Sequence, residues 1–189
     1  MAFVIFGLPR SRTYWLSQFL SYGNRQIGHD LSGEVRSTRE FVNFVRAYGG
    51  VCDTGAVIGW RALRAEMPSA TFITIRRPIG ECIQSLRRTF AVELDLDDLK
   101  ALDDMLDCLE ASPGTIRYEY SDLKSAESCR RLFETCLGIA FDHDWWERLD
   151  SRNLQVDTRV FLENLPRRVN NFVILQEDML ARATGGQLN

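Results

Sequence analysis

Phe3-Val-Ile-Phe-Gly-Leu-Pro-Arg-Ser-Arg-Thr-Tyr-Trp-Leu-Ser17 reads as a buried strand, a cationic turn and the start of a helix. Residues 2–6 are the short, unbroken apolar run expected of a strand covered on both faces. Gly7 and Pro9 break that run, and residues 12–20 resume with Leu16, Phe19 and Leu20 at helical spacing. A strand–loop–helix unit aims free backbone N–H groups and the positive end of a helix dipole at one point. Arg10, Ser11, Arg12 and Thr13 add donors there, so the loop is expected to hold a phosphate- or sulfate-like anion. The plainer alternative is a basic turn after an edge strand.

Outward from this unit, strands alternate with helices. Residues 71–75 form a second apolar, β-branched run, residues 56–60 read as a further buried strand, and residues 115–120 as another. Ser37-Thr-Arg-Glu40 is a capping box that opens a helix reaching about Tyr48, and Gly49-Gly50 ends it. Residues 61–66 read as a short helix stopped by Pro68. Residues 97–111 are amphipathic, with Leu99, Leu102, Leu106 and Leu109 inward. Their Asp residues, with Asp95, spread around the helix as a solvated face rather than converging on a metal. Residues 125–137, 142–149, 160–165 and 169–183 complete a mainly helical C-terminal part, and the tail 185–189 is expected to fray. The expectation is one α/β domain over residues 1–189: three layers, with a central, mostly parallel sheet between helices and ligands at the strands' C-terminal ends.

Composition bounds the function. The chain has 189 residues, 45% of them hydrophobic, and a net charge of −3. That suits a globular core and argues against broad nucleic-acid binding, so the Arg clusters at 10/12, 76/77 and 87/88 must act locally. Five cysteines without C-x-x-C spacing read as buried or free thiols in a reducing cytosol, with no metal site. No signal segment or apolar span of membrane-crossing length is recognisable, which points to the cytoplasm and to no membrane partner.

Set against the nucleotide-triphosphatase pattern G-x-x-x-x-G-K-S/T from Gly7, Arg12 replaces the second Gly, Thr13 the Lys and Tyr14 the hydroxyl residue. The groups that would reach a γ-phosphate and hold Mg²⁺ are missing. Pro9-Arg-Ser-Arg-Thr-Tyr-Trp15 instead resembles the 5′-phosphosulfate loop of sulfotransferases that use 3′-phosphoadenosine 5′-phosphosulfate, written P-K/R-S-G-T-T/S-W. The match covers Pro9, Arg10, Ser11, Thr13 and Trp15. It departs at Arg12, where the family often has Gly, which permits a closer backbone approach.

Two further stretches are similar to the same family, in the same order. The strand at 71–75 runs into Arg76-Arg77-Pro78 and a helical pattern, with Ser85 eight residues after Arg77. In the family an Arg and a Ser so placed bind the nucleotide 3′-phosphate, and a dianion needs such a guanidinium fork plus a hydroxyl donor. Counted from Arg76 the eighth residue is Gln84, so either Arg76 or Arg77 remains open. Tyr120-Ser-Asp-Leu-Lys124 resembles the family's Y-E-D-L-K/R segment, whose Tyr lies near the adenine; Tyr118 is the alternative. Trp15 reads equally as an adenine-stacking ring and as a core aromatic. The resemblance, to the small bacterial and phage type, implies a P-loop-like fold and co-substrate contacts from Pro9, Arg10, Ser11, Arg12, Thr13, Tyr14, Trp15, Arg77, Ser85 and Tyr120.

It also implies a chemistry. Arg10 would hold the bridging oxygen and ease departure of adenosine 3′,5′-bisphosphate, while Ser11 and Thr13 hold the phosphosulfate, with no metal required. The base is less determined. The family's His after the second strand is absent from Gly59-Trp-Arg-Ala-Leu63, leaving His29, Asp30 and Asp53 as candidates, Asp53 also reading as a turn cap. His143 reads as structural. The acceptor, bearing a hydroxyl or an amine, carries no further label in the sequence. Its pocket is expected from residues 23–36, 89–96 and the C-terminal helices. A catalytically inert nucleotide-binding module is the second reading, and a small kinase the third.

Overall fold

β1 (Phe3–Gly7) is buried throughout and lies at the centre of a five-stranded, all-parallel sheet. The computed structural model describes residues 2–90, 96–152, 154 and 156–184. The other strands are β2 (Gly28–His29), β3 (Gly50–Asp53), β4 (Thr71–Arg76) and β5 (Thr115–Glu119), in the order β2-β3-β1-β4-β5. The period-2 alternation of β1 divides its side chains between two cores. Val4 and Phe6 pack with α2 (Thr38–Tyr48), α3 (Trp60–Glu66) and α5 (Leu96–Glu110) on one face. Phe3 and Ile5 pack with α1 (Thr13–Leu20), α6 (Ala126–Leu137) and α7 (His143–Asp150) on the other. The expected α/β architecture of a parallel sheet between helical layers is what the chain forms.

Strand order positions the site. From β1 the chain crosses to β2 and β3 on one side, then returns to β4 and β5 on the other. Connections therefore leave the sheet in opposite directions at β1 and β4, and that divergence opens a crevice beyond their C-terminal ends. The turn after β1 carries Arg10, and the turn after β4 carries Arg77. Register brings them together: Gly7 lies beside Ile75, one residue before Arg76.

Three expectations need correction. Residues 56–60 are not a strand: Ala56–Gly59 is a 3₁₀ turn and Trp60 opens α3. The strand lies just upstream, because Asp53 accepts hydrogen bonds from the Gly55 and Ala56 amides and turns the chain there. Gly49 caps α2 with φ 90°, whereas Gly50 belongs to β3, where the Phe3 ring would overlap any added Cβ, its nearest atom 2.3 Å away. Residues 160–165 and 169–183 are not separate: α8 (Thr158–Ala183) runs unbroken through Pro166. Asp157 caps its start, and Asn171, Leu175 and Met179 are the buried face of its second half. Residues 91–95, Asp95 among them, which fall within the stretch 89–96 expected at the acceptor pocket, and residues 185–189 lie outside the described residues. No helix among the described residues is long and apolar enough to cross a membrane.

Candidate functional site

Beyond β1 the chain turns sharply. The Ser11 amide donates to the Leu8 carbonyl at 3.1 Å, and Arg10 and Arg12 both adopt left-handed backbone conformations, φ 72° and 63°. Such angles cost a non-glycine residue about 1–2 kcal/mol, so something must hold them. Arg12 is held by its own side chain: it donates to the Leu123 carbonyl at 3.0 Å, pairs with Asp150 at 2.8 Å and lies 4.0 Å above the Trp15 ring. These contacts tie the loop to the turn after β5 and to α7, and they do the work that glycine's freedom would do elsewhere. Arg12 is therefore a brace at the cleft wall. Trp15 is a core aromatic, 2% exposed, stacked on Phe19 and donating its indole N–H to the Leu149 carbonyl. Of its two readings, the packing one describes it.

Ser11 departs from its expected role. It is fully buried, its amide is used within the turn, and its hydroxyl lies beneath the loop beside the Cys82 thiol, with no well-formed hydrogen bond. It does not line the cleft. Burial pushes the Cys82 thiol up to about 11, so it stays protonated.

The ambiguity between Arg76 and Arg77 resolves by partners. Arg76 is ringed by Asp103 and Asp107 at 3.0 and 2.8 Å and Glu110 at 3.6 Å, so those α5 acids are not merely a solvated face. Arg77 turns the other way, donates to the Arg10 carbonyl and lies 4.1 Å over the Tyr120 ring. Tyr118 is buried in the core, which leaves Tyr120 as the cleft aromatic. Ser85, on α4 (Ile79–Phe90), accepts from Arg10 Nε at 3.1 Å, and Arg10 Nη2 reaches Thr89 at 3.1 Å. Arg10, Arg77 and Ser85 thus form one cluster. Burial, then the neighbouring charges of Arg77 and Arg88, hold the Arg10 guanidinium below its ordinary value. An anion entering here relieves that repulsion.

Across the cleft, His29 Nε2 lies 3.3 Å from the Thr13 hydroxyl and 3.4 Å from Asp30 Oδ2, and Tyr14 packs edge-on against the imidazole. Asp30 has φ 45°, and its Oδ1 accepts from both the amide and the hydroxyl of Thr54. Among the described residues the non-glycine positions with positive φ are Arg10, Arg12 and Asp30, and all three line one cleft. Strained backbone of this kind concentrates at functional sites. Asp53 is fully buried and takes four donors, from Ser32, Gly55 and Ala56. Burial and the Asp30 carboxylate push its pKa up against those donors. It is a turn cap, not a base that a ligand could meet.

The cleft measures about 950 Å³, and the sequence-predicted site residues line it apart from Ser11, the candidate base Asp53 and the alternatives Arg76 and Tyr118. Its wall carries six cationic side chains against the two carboxylates Asp30 and Asp150, in a chain of net charge −3. The sequence does not single out Thr54, Arg152, Leu154 or Val156 and offers Lys124 only as the end of the Tyr120–Lys124 segment, whereas Phe161, Leu162 and Leu165 belong to the C-terminal helices expected at the acceptor pocket. Arg88 was visible only as one of a basic pair. Comparisons with protein families, with curated proteins and with solved structures find no match.

Proposed function

We propose that this cleft binds 3′-phosphoadenosine 5′-phosphosulfate and transfers its sulfuryl group to a hydroxyl of an acceptor. One observation carries the reading: Arg10, Arg77, Ser85 and Tyr120 meet at the C-terminal ends of β1 and β4, in one cleft with Thr13 and the His29–Asp30 pair. Arg77 and Ser85 supply a fork and a hydroxyl for the 3′-phosphate. The amino end of α1, with Thr13, supplies donors for the 5′-phosphosulfate.

Transfer is an in-line displacement. The acceptor oxygen forms a bond to sulfur while the bond from sulfur to the bridging phosphate oxygen breaks. Adenosine 3′,5′-bisphosphate leaves carrying that electron pair. Charge spreads over the peripheral sulfuryl oxygens and the bridging oxygen; the Arg10 guanidinium, bonded to Ser85 and Thr89 rather than lying over the loop as expected, would have to leave them to meet that charge. The acceptor's proton passes to the His29–Asp30 pair, whose imidazole Nε2 and carboxylate Oδ2 lie 3.4 Å apart.

The test is calorimetry of adenosine 3′,5′-bisphosphate against ATP–Mg²⁺, followed by transfer of labelled sulfate to hydroxylated acceptors. The expected result is preference for the bisphosphate and a labelled sulfate ester. Preference for ATP–Mg²⁺ would refute the reading in favour of a kinase. Tight bisphosphate binding without transfer would leave a nucleotide-binding module.

A further inference from the structure

We propose, on the basis of the sulfuryl-transfer reading above, that the acceptor is an uncharged apolar molecule bearing a hydroxyl, such as a ring alcohol or phenol. Its class is set by Phe161, Leu162 and Leu165 of α8 together with Leu154 and Val156. The cleft is divided in character. Its cations come from the turns after β1 and β4, from α4 and from residues 124 and 152, whereas the wall from 154 to 165 contributes five apolar side chains and no charge. At about 950 Å³ the space is near the upper end of the range of about 300–1,000 Å³ that serves a single ligand, and one polyanionic nucleotide does not explain an apolar wall.

The wall joins the His29–Asp30 side of the cleft. Arg168, one turn beyond the Leu165 region, donates to the Asp30 carbonyl at 3.0 Å, pairs with Glu34 and lies 5.7 Å from the Phe161 ring centre. An apolar molecule against α8 therefore sits beside the pair that takes the proton in the proposed reaction. Leu162 is 43% exposed, apolar surface that such a molecule would cover. A carboxylate-bearing acceptor meets Asp30 there, and Leu154, Val156, Phe161, Leu162 and Leu165 offer a sugar no side-chain donor or acceptor to replace its hydration.

The experiment is equilibrium binding of 2-naphthol and of glucose, to the chain alone and to the chain saturated with adenosine 3′,5′-bisphosphate. Naphthol is expected to bind one molecule per chain in both forms, and glucose not to bind. Leu165→Asp should weaken naphthol at least tenfold while bisphosphate affinity changes less than twofold. Phe161→Ala, which introduces no charge, and Leu162→Ser, at an exposed position, keep the test readable if that variant does not fold. A chain that binds bisphosphate but not naphthol, or binds glucose as well, overturns this proposal and leaves the transfer reading standing. Naphthol affinity unchanged by all three substitutions overturns it equally. Failure of bisphosphate to bind would instead remove the transfer reading, and naphthol binding to the nucleotide-free chain would still decide whether the wall is an apolar site.

Discussion

Replacing Arg77 by Ala should sharply reduce the preference for a 3′-phosphorylated nucleotide while leaving the 5′ end of the site largely intact. The Arg77 side chain is only 10% exposed, and Glu81, its carboxylate partner, is 53% exposed. Truncation therefore strands no buried charge. Two losses fall on any nucleotide alike: the bond to the Arg10 carbonyl and the stacking over Tyr120. A third falls only on a ligand with a 3′-phosphate, namely a charge-assisted hydrogen bond of about 1.5–3 kcal/mol, or roughly 10- to 150-fold in Kd. Calorimetry of adenosine 3′,5′-bisphosphate and adenosine 5′-phosphate with both proteins forms a cycle in which the shared losses cancel. The reasoning fails if the ratio of the two affinities differs less than about threefold between wild type and Arg77→Ala.

Three further outcomes follow from the geometry. At position 12, with φ 63°, Gly should be more stable than Ala by about 1–2 kcal/mol, roughly 2–8 °C in Tm. Both variants lack the Asp150 and Trp15 contacts, so thermal unfolding isolates the backbone term, and equal melting temperatures would contradict it. His29→Gln should lower the sulfuryl-transfer rate about 10²- to 10⁴-fold with bisphosphate affinity unchanged; a full rate in single-turnover assays would remove His29 from the chemistry. For Asp178, burial pushes the carboxyl up, but hydrogen bonds from the Thr38 hydroxyl and amide and the Arg182 charge outweigh it and leave the pKa lowered. A lowered folded-state value means stability present above the unfolded carboxylate value of about 3.9 and lost as pH falls through the folded one. Asp178→Asn should therefore lower Tm near neutrality, by about 1.5–3 kcal/mol of stability, and the gap should close at acid pH. A gap constant from pH 6 down to pH 2.5 would refute it.

Much of this architecture was legible because its signals are local. The apolar run of β1, the Gly-Leu-Pro break and the helical spacing of Leu16, Phe19 and Leu20 each depend on near neighbours. Ser37 caps α2 as read, accepting from the Glu40 amide at 3.2 Å, although Glu40 reaches back to the Arg36 amide rather than to Ser37. β2 escaped because two residues between a loop and a turn carry no periodicity. The helix through Pro166 escaped because proline's penalty is local, while the contacts that offset it, at Asn171, Leu175 and Met179, are tertiary.

The site followed the same division. The motif spacing singled out Arg10, Arg77 and Ser85, but which arginine faces the cleft depends on the acids of α5, about thirty residues away in sequence. Trp15 and Ser11 were read by type, whereas their orientation is fixed by Leu149, Phe19 and the turn at Leu8. The C-terminal helices are expected at the acceptor pocket, but which of their residues face it is not legible, because the segment looks like any amphipathic one until α8 is laid across the cleft.

The most direct measurement is a crystal structure with adenosine 3′,5′-bisphosphate bound. The account predicts the 3′-phosphate within hydrogen-bond distance of Arg77 and Ser85 and the 5′-phosphate at Thr13 and the amino end of α1. A nucleotide bound elsewhere, or with its 3′-phosphate turned to solvent, would contradict it.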